Sequence, residues 1–197
     1  MNYDFFKRYI TEQPSEDDIE NSRQWYRQKA FEVENVDSAM LIRKSQELAV
    51  NRRRLGQIYL FRYDPKLKAE LPFYDRYPIP LVINPTKEGF IGLNLHYLPF
   101  QFRAILMDRL YPYQRGEDEN ARIKITYNIL QNATKLRYYK PCLKHYLNSQ
   151  IRTRTLHVNV DEWDAALFLP IQRFAKKSES VVYRDSLRQI RTNNGRI

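Results

Sequence analysis

Three short segments give the clearest indication of the fold. They are IYLFRYDPK at residues 58–66, PLVIN at 80–84 and GFIGLNLHYLP at 89–99. Each is dense in β-branched or aromatic residues, which favour strands. Proline, glycine or an Asp-Pro pair punctuates each segment, as is typical of strands that end in tight turns. The segments therefore predict a β-structure with sharp corners.

We predict one strand from each segment, at 58–63, 80–84 and 90–96. The second and third should pair as a hairpin, because only a short turn separates them. The fold class expected is α+β, with a small twisted antiparallel sheet or an SH3-like partial barrel over about 57–98, flanked by helices and by extended N- and C-terminal arms.

The same block supplies a predicted core motif of corner and anchor residues. Proline fixes φ at strand ends, glycine permits bulges or close approach, and the aromatic rings fill a small core. Such a block is typical of a rigid platform rather than a flexible catalytic loop. The motif consists of Tyr63, Pro65, Pro72, Tyr74, Asp75, Gly89, Gly92, Asn94, His96, Tyr97 and Pro99.

Helical patterns flank this block on both sides. The predicted helices start at Ser15 (running through Phe31), at Asp37 (to Leu55), at Pro99 (to Leu110), at Ala121 (to about Leu136), at Pro141 and at Glu162 (to Leu169). A further strand is expected at 156–160, and the chain from Ile171 onward has weak periodicity. We predict a helical N-terminal arm at 1–55, an α+β core domain at 56–170 and a basic C-terminal arm at 171–197.

Composition narrows the classes of function. The 197 residues carry a net charge of +10 and 15 tyrosines, and 43% of them are hydrophobic. No run approaches the ~20 apolar residues of a membrane span. The single cysteine, Cys142, excludes a disulfide framework and is expected to be a buried structural thiol. Excess positive charge points to a polyanionic or acidic partner.

The basic residues are clustered rather than dispersed. One group is expected to line a single helix, and another interleaves charge with aromatic rings, a pattern that can follow a phosphate backbone and stack on bases. An acidic protein surface would suit the same residues, because Arg and Tyr are favoured interface anchors. The candidate contacts are Arg43, Lys44, Arg52, Arg53, Arg54, Lys135, Arg137, Tyr138, Tyr139, Lys140 and Lys144.

Residues that could carry catalysis are not arranged for it. His96, His145 and His157 are scattered, and Cys142 with His145 matches no nucleophile motif. Carboxylates at 16–20 could bind Mg²⁺ for a nuclease, but they suit the first turn of a helix better. We expect no enzyme activity, no metal and no cofactor.

The sequence resembles a family of small virion-associated structural proteins of contractile-tailed, T-even-like bacteriophages. The resemblance lies in residues 59–66, 71–78 and 89–99, in Tyr139-Lys140-Pro141-Cys142 and in the segment 163–170. The resemblance implies a structural component of the tail, baseplate or neck, made in the host cytoplasm and located in the virion. Its partners would be other virion structural proteins or copies of itself, bound through the terminal arms and the aromatic core surface. The alternative is a DNA-binding protein that acts at phage genome ends. The resemblance supplies no site residues.

Overall fold

A computed structural model of the chain describes residues 22–34, 36–110 and 137–192. Its helices are α1 (Ser22–Glu32), α2 (Ser38–Lys44), α3 (Phe100–Leu110), α4 (Trp163–Phe168) and α5 (Glu179–Thr192). Its strands are β1 (Ala49–Val50), β2 (Ile58–Leu60), β3 (Tyr74–Asp75), β4 (Pro80–Pro85), β5 (Gly89–Asn94), β6 (Leu143–Leu147), β7 (Thr155–Val158) and β8 (Phe174–Ala175). The predicted α+β class is confirmed.

Six strands form one antiparallel sheet in the order β1-β7-β2-β4-β5-β6, and β3 pairs with β8 beside it. The sheet is open in the described part of the chain, so it is the predicted twisted sheet and not a closed barrel. Strands β4 and β5 form the predicted hairpin, closed by bonds between Thr86 and Gly89. At Gly89 a Cβ atom would lie 1.8 Å from the Tyr146 carbonyl oxygen, so only glycine lets β6 approach β5.

The two faces of the sheet are covered differently. One face packs against the helices and forms the larger core, which contains residues such as Leu60, Leu81 and Trp163. Residues alternate along each strand, so their neighbours point to the other face. That face carries a buried group that we call the aromatic cluster: Tyr59, Phe61, Tyr63, Val82, Phe90 and Tyr146.

The helix predicted from Asp37 to Leu55 is wrong beyond its first turns. Asp37 caps α2, accepting bonds from Ala39 N and Met40 N, as expected. The helix ends at Lys44, and a 3₁₀ turn at Gln46–Leu48 leads into β1. Leu48 packs into the helix-side core and Leu55 against the aromatic cluster, on opposite faces of the sheet. The apolar spacing that suggested one helix therefore serves two separate cores.

The helix predicted from Pro141 is also wrong. A 3₁₀ segment, Arg137–Cys142, gives way to strand β6, which pairs with β5 from Leu143 to Leu147. Pairing with the free edge of β5 outweighs the helical spacing of these residues.

The extended C-terminal arm is a third correction. Within the segment from Ile171, Phe174–Ala175 form β8 and Glu179–Thr192 form α5. Helix α5 buries Val182, Ser186 and Ile190 against the core, and the serine in this stripe hid its apolar period.

Smaller differences concern strand ends. Strand β2 stops at Leu60, with Tyr63 making an isolated bridge to Ile151, and β5 stops at Asn94. His96, predicted on a strand, lies in the 3₁₀ turn Leu95–Tyr97.

Other predictions agree with the structure or fall outside its reach. The predicted helices ending near Phe31, Leu110 and Leu169 correspond to α1, α3 and α4. The helix at 121–136 and the carboxylates at 16–20 lie outside the described residues. The division of the chain at residues 55 and 170 stays a prediction.

Candidate nucleic-acid interface

A concave basic surface lies where the loop between β1 and β2 folds over the aromatic cluster. We call it the arginine cleft; it measures about 660 Å³ and is lined by Val50, Asn51, Arg52, Arg53, Arg54, Gln57, Tyr59 and His157. The loop is held at its base because Gly56 N donates to Val82 O and Val82 N donates to Gln57 O, at 2.9 and 3.0 Å. Gly56 has φ 70°, a conformation that favours glycine.

The central arginine of the loop is fixed in place. Arg53 donates from Nη1 to Thr155 Oγ1 at 3.0 Å and from Nη2 to Asn148 Oδ1. Its guanidinium lies 5.3 Å from the centre of the Phe90 ring, a cation–π contact. Burial lowers the pKa of Arg53, but arginine remains protonated in proteins. Arg53 therefore anchors the loop to the sheet.

The flanking side chains, Arg52 and Arg54, are exposed to solvent. Backbone N–H of Arg54 donates to Tyr59 Oη at 2.7 Å, which fixes the backbone from which this side chain projects. In the described part of the chain, neither Arg52 nor Arg53 forms a salt bridge. An anion that enters the cleft thus has no carboxylate to displace from these two guanidinium groups.

The surroundings of the cleft are basic as well. No Asp or Glu occurs between residues 51 and 63 or between 143 and 160. Strand β7 pairs with β1, and Thr155 lies opposite Val50. Arg154 therefore lies next to the start of the loop. Arg152 N donates to Arg62 O at 2.8 Å, which brings two more basic residues together. Asp64, which follows the first of these stretches, is paired with Lys68 at 3.0 Å.

His157 and Tyr59 form the neutral floor of the cleft. His157 Nε2 and Gln57 Oε1 are 2.9 Å apart, and the two rings lie 5.5 Å apart, tilted. Burial and nearby Arg54 lower the pKa of His157, and burial raises the pKa of Tyr59. Both side chains are neutral at pH 7 and offer ring surface and polar edges without charge.

The predicted basic contacts do not form one surface. Arg43 and Lys44 lie on α2, which packs into the helix-side core, so they are separated from the Arg52–Arg54 loop. Lys140 is exposed at the 3₁₀ segment that packs against α5. Lys135 and the side chains of Arg137 and Tyr138 fall outside the described residues.

Two predicted contacts are mostly inside the molecule. Tyr139 is 3% exposed and belongs to the helix-side core, so its ring is not free for stacking. Lys144 lies on β6 with its ammonium 4.2 Å from the centre of the Tyr97 ring.

The predicted core motif centres on a buried hydrogen-bond network at Asp75. The His96 Nδ1 and Asp75 Oδ2 atoms are 2.6 Å apart, and Asn94 Nδ2 donates to the same oxygen at 3.2 Å. The backbone N–H groups of Tyr77 and Arg173 donate to Asp75 Oδ1. Burial alone would raise the pKa of Asp75, but the bonds from His96 and the other donors outweigh it and lower it. The Asp75–His96 pair is buried. Together with the other donors to Asp75, it links β3, β8 and the end of β5.

The other motif residues hold the corners around this network. Tyr63 Oη accepts from Leu147 N, and Tyr97 Oη accepts from Asp75 N. Pro99 precedes α3 and accepts from Phe102 N and Arg103 N. Pro65 is buried, Tyr74 is half-buried and Pro72 is exposed.

Sequence reasoning missed Arg103, which is fully buried in α3. It donates to the carbonyl oxygens of Leu98, Leu167 and His96 at 2.7–3.0 Å and to Tyr183 Oη at 2.6 Å. These four acceptors come from three parts of the chain, since His96 and Leu98 are neighbours while Leu167 and Tyr183 lie far along the sequence. No local pattern marks such a residue, because an arginine on a helix is usually exposed.

The described residues contain no group of three or more His, Cys, Asp or Glu that could hold a metal ion. Cys142 is buried as predicted, and burial raises its pKa to about 12, so it is a thiol at neutral pH. His145 lies on β6, exposed, with Nε2 3.0 Å from Thr86 Oγ1. A helix long and apolar enough to cross a membrane is absent from the described segments.

Comparison with known protein families gives a match over most of the chain. A family described as the phage T4 terminal DNA protecting protein matches residues 6–189. Neither a curated protein nor a solved structure matches the chain.

This match corrects the main functional expectation. The family is defined by an action at DNA termini, so the prediction of a structural component of the tail, baseplate or neck is wrong. The alternative, a DNA-binding protein at phage genome ends, fits the match, and the origin in T-even-like phages is supported. Because the match covers most of its length, the chain belongs to the phage T4 terminal DNA protecting protein family.

Proposed function

We propose that this protein binds the termini of linear duplex DNA and shields them from degradation, with the arginine cleft as its contact to the phosphate backbone. The observation that carries this proposal is the Arg52–Arg54 loop. Its central arginine is anchored to the sheet, while its two neighbours project into solvent.

The chemistry of the cleft suits phosphate. Guanidinium groups donate paired hydrogen bonds that match phosphate oxygens, and a fixed backbone reduces the entropy lost on binding. Neutral Tyr59 and His157 at the floor add ring surface against which sugar or base can pack.

No reaction is part of the proposal. Binding alone explains protection, because a terminus that is covered cannot enter a nuclease. We also propose that the protein is carried in the virion. Mass spectrometry of purified particles should then detect it.

A second surface competes with the cleft for the same role. The exposed arginines of α5, at positions 184, 188 and 191, follow one another at helical spacing beside Tyr183 and Leu187. This stripe could contact DNA or an acidic protein, and an acidic partner remains the alternative use of the basic surfaces. The experiment therefore includes both sets of arginines.

The test compares linear DNA with the same DNA closed into a circle, using binding and exonuclease digestion. Wild-type protein is expected to bind the linear form more tightly and to slow its digestion. The double variant Arg52→Ala/Arg54→Ala should lose about tenfold or more in affinity for ends, because two charge-assisted contacts disappear.

The matched control is Arg43→Ala/Lys44→Ala, which removes the same charge from the helix side of the sheet. It should bind as the wild type does. If the control and the Arg52/Arg54 variant lose affinity equally, or if only the triple α5 variant R184A/R188A/R191A loses it, the cleft is not the contact. Equal wild-type affinity for linear and circular DNA would overturn the function itself.

A further inference from the structure

A second concave site adjoins the aromatic cluster near strand β6, which forms one edge of the six-stranded sheet. We call it the aromatic pocket; it measures about 230 Å³, and its lining includes Tyr63, Phe73, Tyr74, Tyr97, Lys144 and Tyr146. The aromatic cluster connects the two sites, since Tyr59 lines the cleft while Tyr63 and Tyr146 line the pocket. Phe61 lies between them, 5.5 Å from the Tyr146 ring.

The rings of the pocket are already held in place. Tyr63 and Tyr146 contact edge to face at 5.0 Å, and Phe73 lies 6.0 Å from Tyr97. The hydroxyls of Tyr63 and Tyr97 accept backbone hydrogen bonds, so their rings cannot turn freely. Tyr63, Tyr97 and Tyr146 are buried and form the base of the pocket. Phe73 and Tyr74 are half-buried, so a ligand that enters meets their ring surface at little ordering cost.

Lys144 gives the pocket a cation that lacks an anion. Its ammonium lies over the Tyr97 ring at 4.2 Å, and it forms no hydrogen bond or ion pair with any described residue. Burial lowers its pKa, which reflects the cost of holding this charge away from water. Asp75 also borders the pocket, but both of its oxygens are occupied by donors. An entering anion would therefore meet Lys144 without competition.

We propose that the aromatic pocket holds one unstacked nucleotide at the end of a DNA strand, with its base against the half-buried rings of Phe73 and Tyr74 and its phosphate beside Lys144. This inference rests on the proposed function and names the feature of the terminus that is recognised. Bases stack readily on aromatic side chains whatever their sequence, which suits a protein that must accept any end. A terminal base is stacked on one side only, so it leaves the duplex at lower cost than an internal base.

Size and spacing agree with this occupant. The pocket is smaller than the roughly 300–1,000 Å³ of sites for drug-sized ligands, so it suits a single ring system. Tyr59 and Tyr63 are four residues apart, which is at most about 14 Å of chain. That separation corresponds to about four base steps along one DNA strand. The phosphates of a short terminal stretch can thus occupy the cleft while its last base reaches the pocket.

Photocrosslinking locates the terminal base. A duplex carries 5-iododeoxyuridine either at the last nucleotide or ten nucleotides inward, and crosslinked peptides are mapped by mass spectrometry. The terminal probe should crosslink to peptides that contain Tyr74 or Tyr146, and the internal probe should not. Crosslinks of the terminal probe elsewhere would overturn the pocket assignment.

Binding by variants gives a second measurement that does not depend on crosslinking. Lys144→Met and Tyr74→Ala should each weaken binding to open ends about fivefold or more. Neither should change binding to the same duplex with both ends closed by hairpin loops, which has no terminal nucleotide. Lys140→Met, an exposed lysine outside the pocket, is the matched control and should bind as the wild type does.

The outcomes separate this inference from the proposed function. If the pocket variants bind open ends normally while Arg52→Ala/Arg54→Ala does not, the pocket assignment fails and end binding stands. If the wild type does not distinguish open from closed ends, both fail. If free thymidine monophosphate abolishes crosslinking at the pocket, and unlabelled DNA ends compete for the pocket only weakly, the occupant is a free nucleotide. The inference is then overturned.

Discussion

Arg103 shows how one buried cation can organise several segments. Its guanidinium bonds to three backbone carbonyls and the Tyr183 hydroxyl, and it lies 4.4 Å from the centre of the Phe100 ring. Burial lowers its pKa, and the carbonyl oxygens and the ring compensate for lost hydration. The residue joins α3 to α4, to α5 and to the 3₁₀ turn that precedes α3.

Replacing Arg103 should therefore destabilise the whole fold. Arg103→Met is expected to lower the free energy of unfolding by about 3 kcal/mol or more, because several buried acceptors lose their donor. Arg103→Lys should recover only part of this, since an ammonium lacks the planar fork. Urea denaturation measures both. Arg184→Met, exposed on α5, is the control and should change stability by about 0.5 kcal/mol or less. A stable Arg103→Met would refute the role.

His96 should make stability depend on pH. Burial and nearby Arg103 lower its pKa, although Asp75 and Glu179 act in the opposite direction. A lowered folded-state pKa means that the unfolded chain binds more protons, so stability falls as the pH drops below about 6.5.

The variant His96→Gln isolates this contribution. We expect the slope of unfolding free energy against pH, measured by urea denaturation between pH 7 and 5, to be smaller than in the wild type. His145→Gln, at an exposed histidine of β6, is the matched control variant. An identical slope in His96→Gln and wild type would show that His96 is not the titrating group.

At the scale of elements, the contact between β5 and β6 depends on glycine. A Cβ atom at Gly89 would lie 1.8 Å from a backbone oxygen of β6, which cannot move without shifting the strand. Strand β6 carries both Lys144 and Tyr146, so the aromatic pocket depends on this pairing.

Gly89→Ala should force the two strands apart at that end. We expect a loss of about 1–3 kcal/mol in unfolding free energy, typical of overpacking, together with weaker binding to open DNA ends. Urea denaturation and the end-binding assay measure the two effects. Lys87→Ala, in the exposed turn of the same hairpin, is the control. If Gly89→Ala is as stable as the wild type, the close approach is not tight in solution.

At the scale of the whole molecule, the net charge of +10 is divided between separate surfaces. Arg43 and Lys44 belong to the helix side of the sheet, while Arg52 and Arg54 border the cleft on the other side. Net charge favours any polyanion, but only the residues that contact phosphate release counterions on binding.

The salt dependence of DNA binding should reveal this division. Removing Arg52 and Arg54 together should reduce the slope of log affinity against log salt by about 1.8, if each neutralises one phosphate. Removing Arg43 and Lys44 should leave the slope unchanged. Titrations at several salt concentrations measure both, and equal reductions would indicate diffuse attraction without a defined site.

The α+β class, the β4–β5 hairpin and the net positive charge that favours a polyanionic or acidic partner could all be predicted from the sequence. These depend on local periodicity, on turn residues and on net charge, which are properties of neighbouring residues. The cap at Asp37 is another example, because its partners lie two and three residues away.

Which basic residues share a surface, and where α2 ends, depend on contacts between distant segments of the folded chain. Arg53 is anchored by Asn148 and Thr155, about a hundred residues away, and β6 is a strand because β5 offers it an edge. Arg103 donates to Leu167 and Tyr183, which are 64 and 80 residues away, and His96 bonds to Asp75, 21 residues away. Such contacts depend on how segments meet in space, and the spacing of residues along one chain does not encode them in any local pattern.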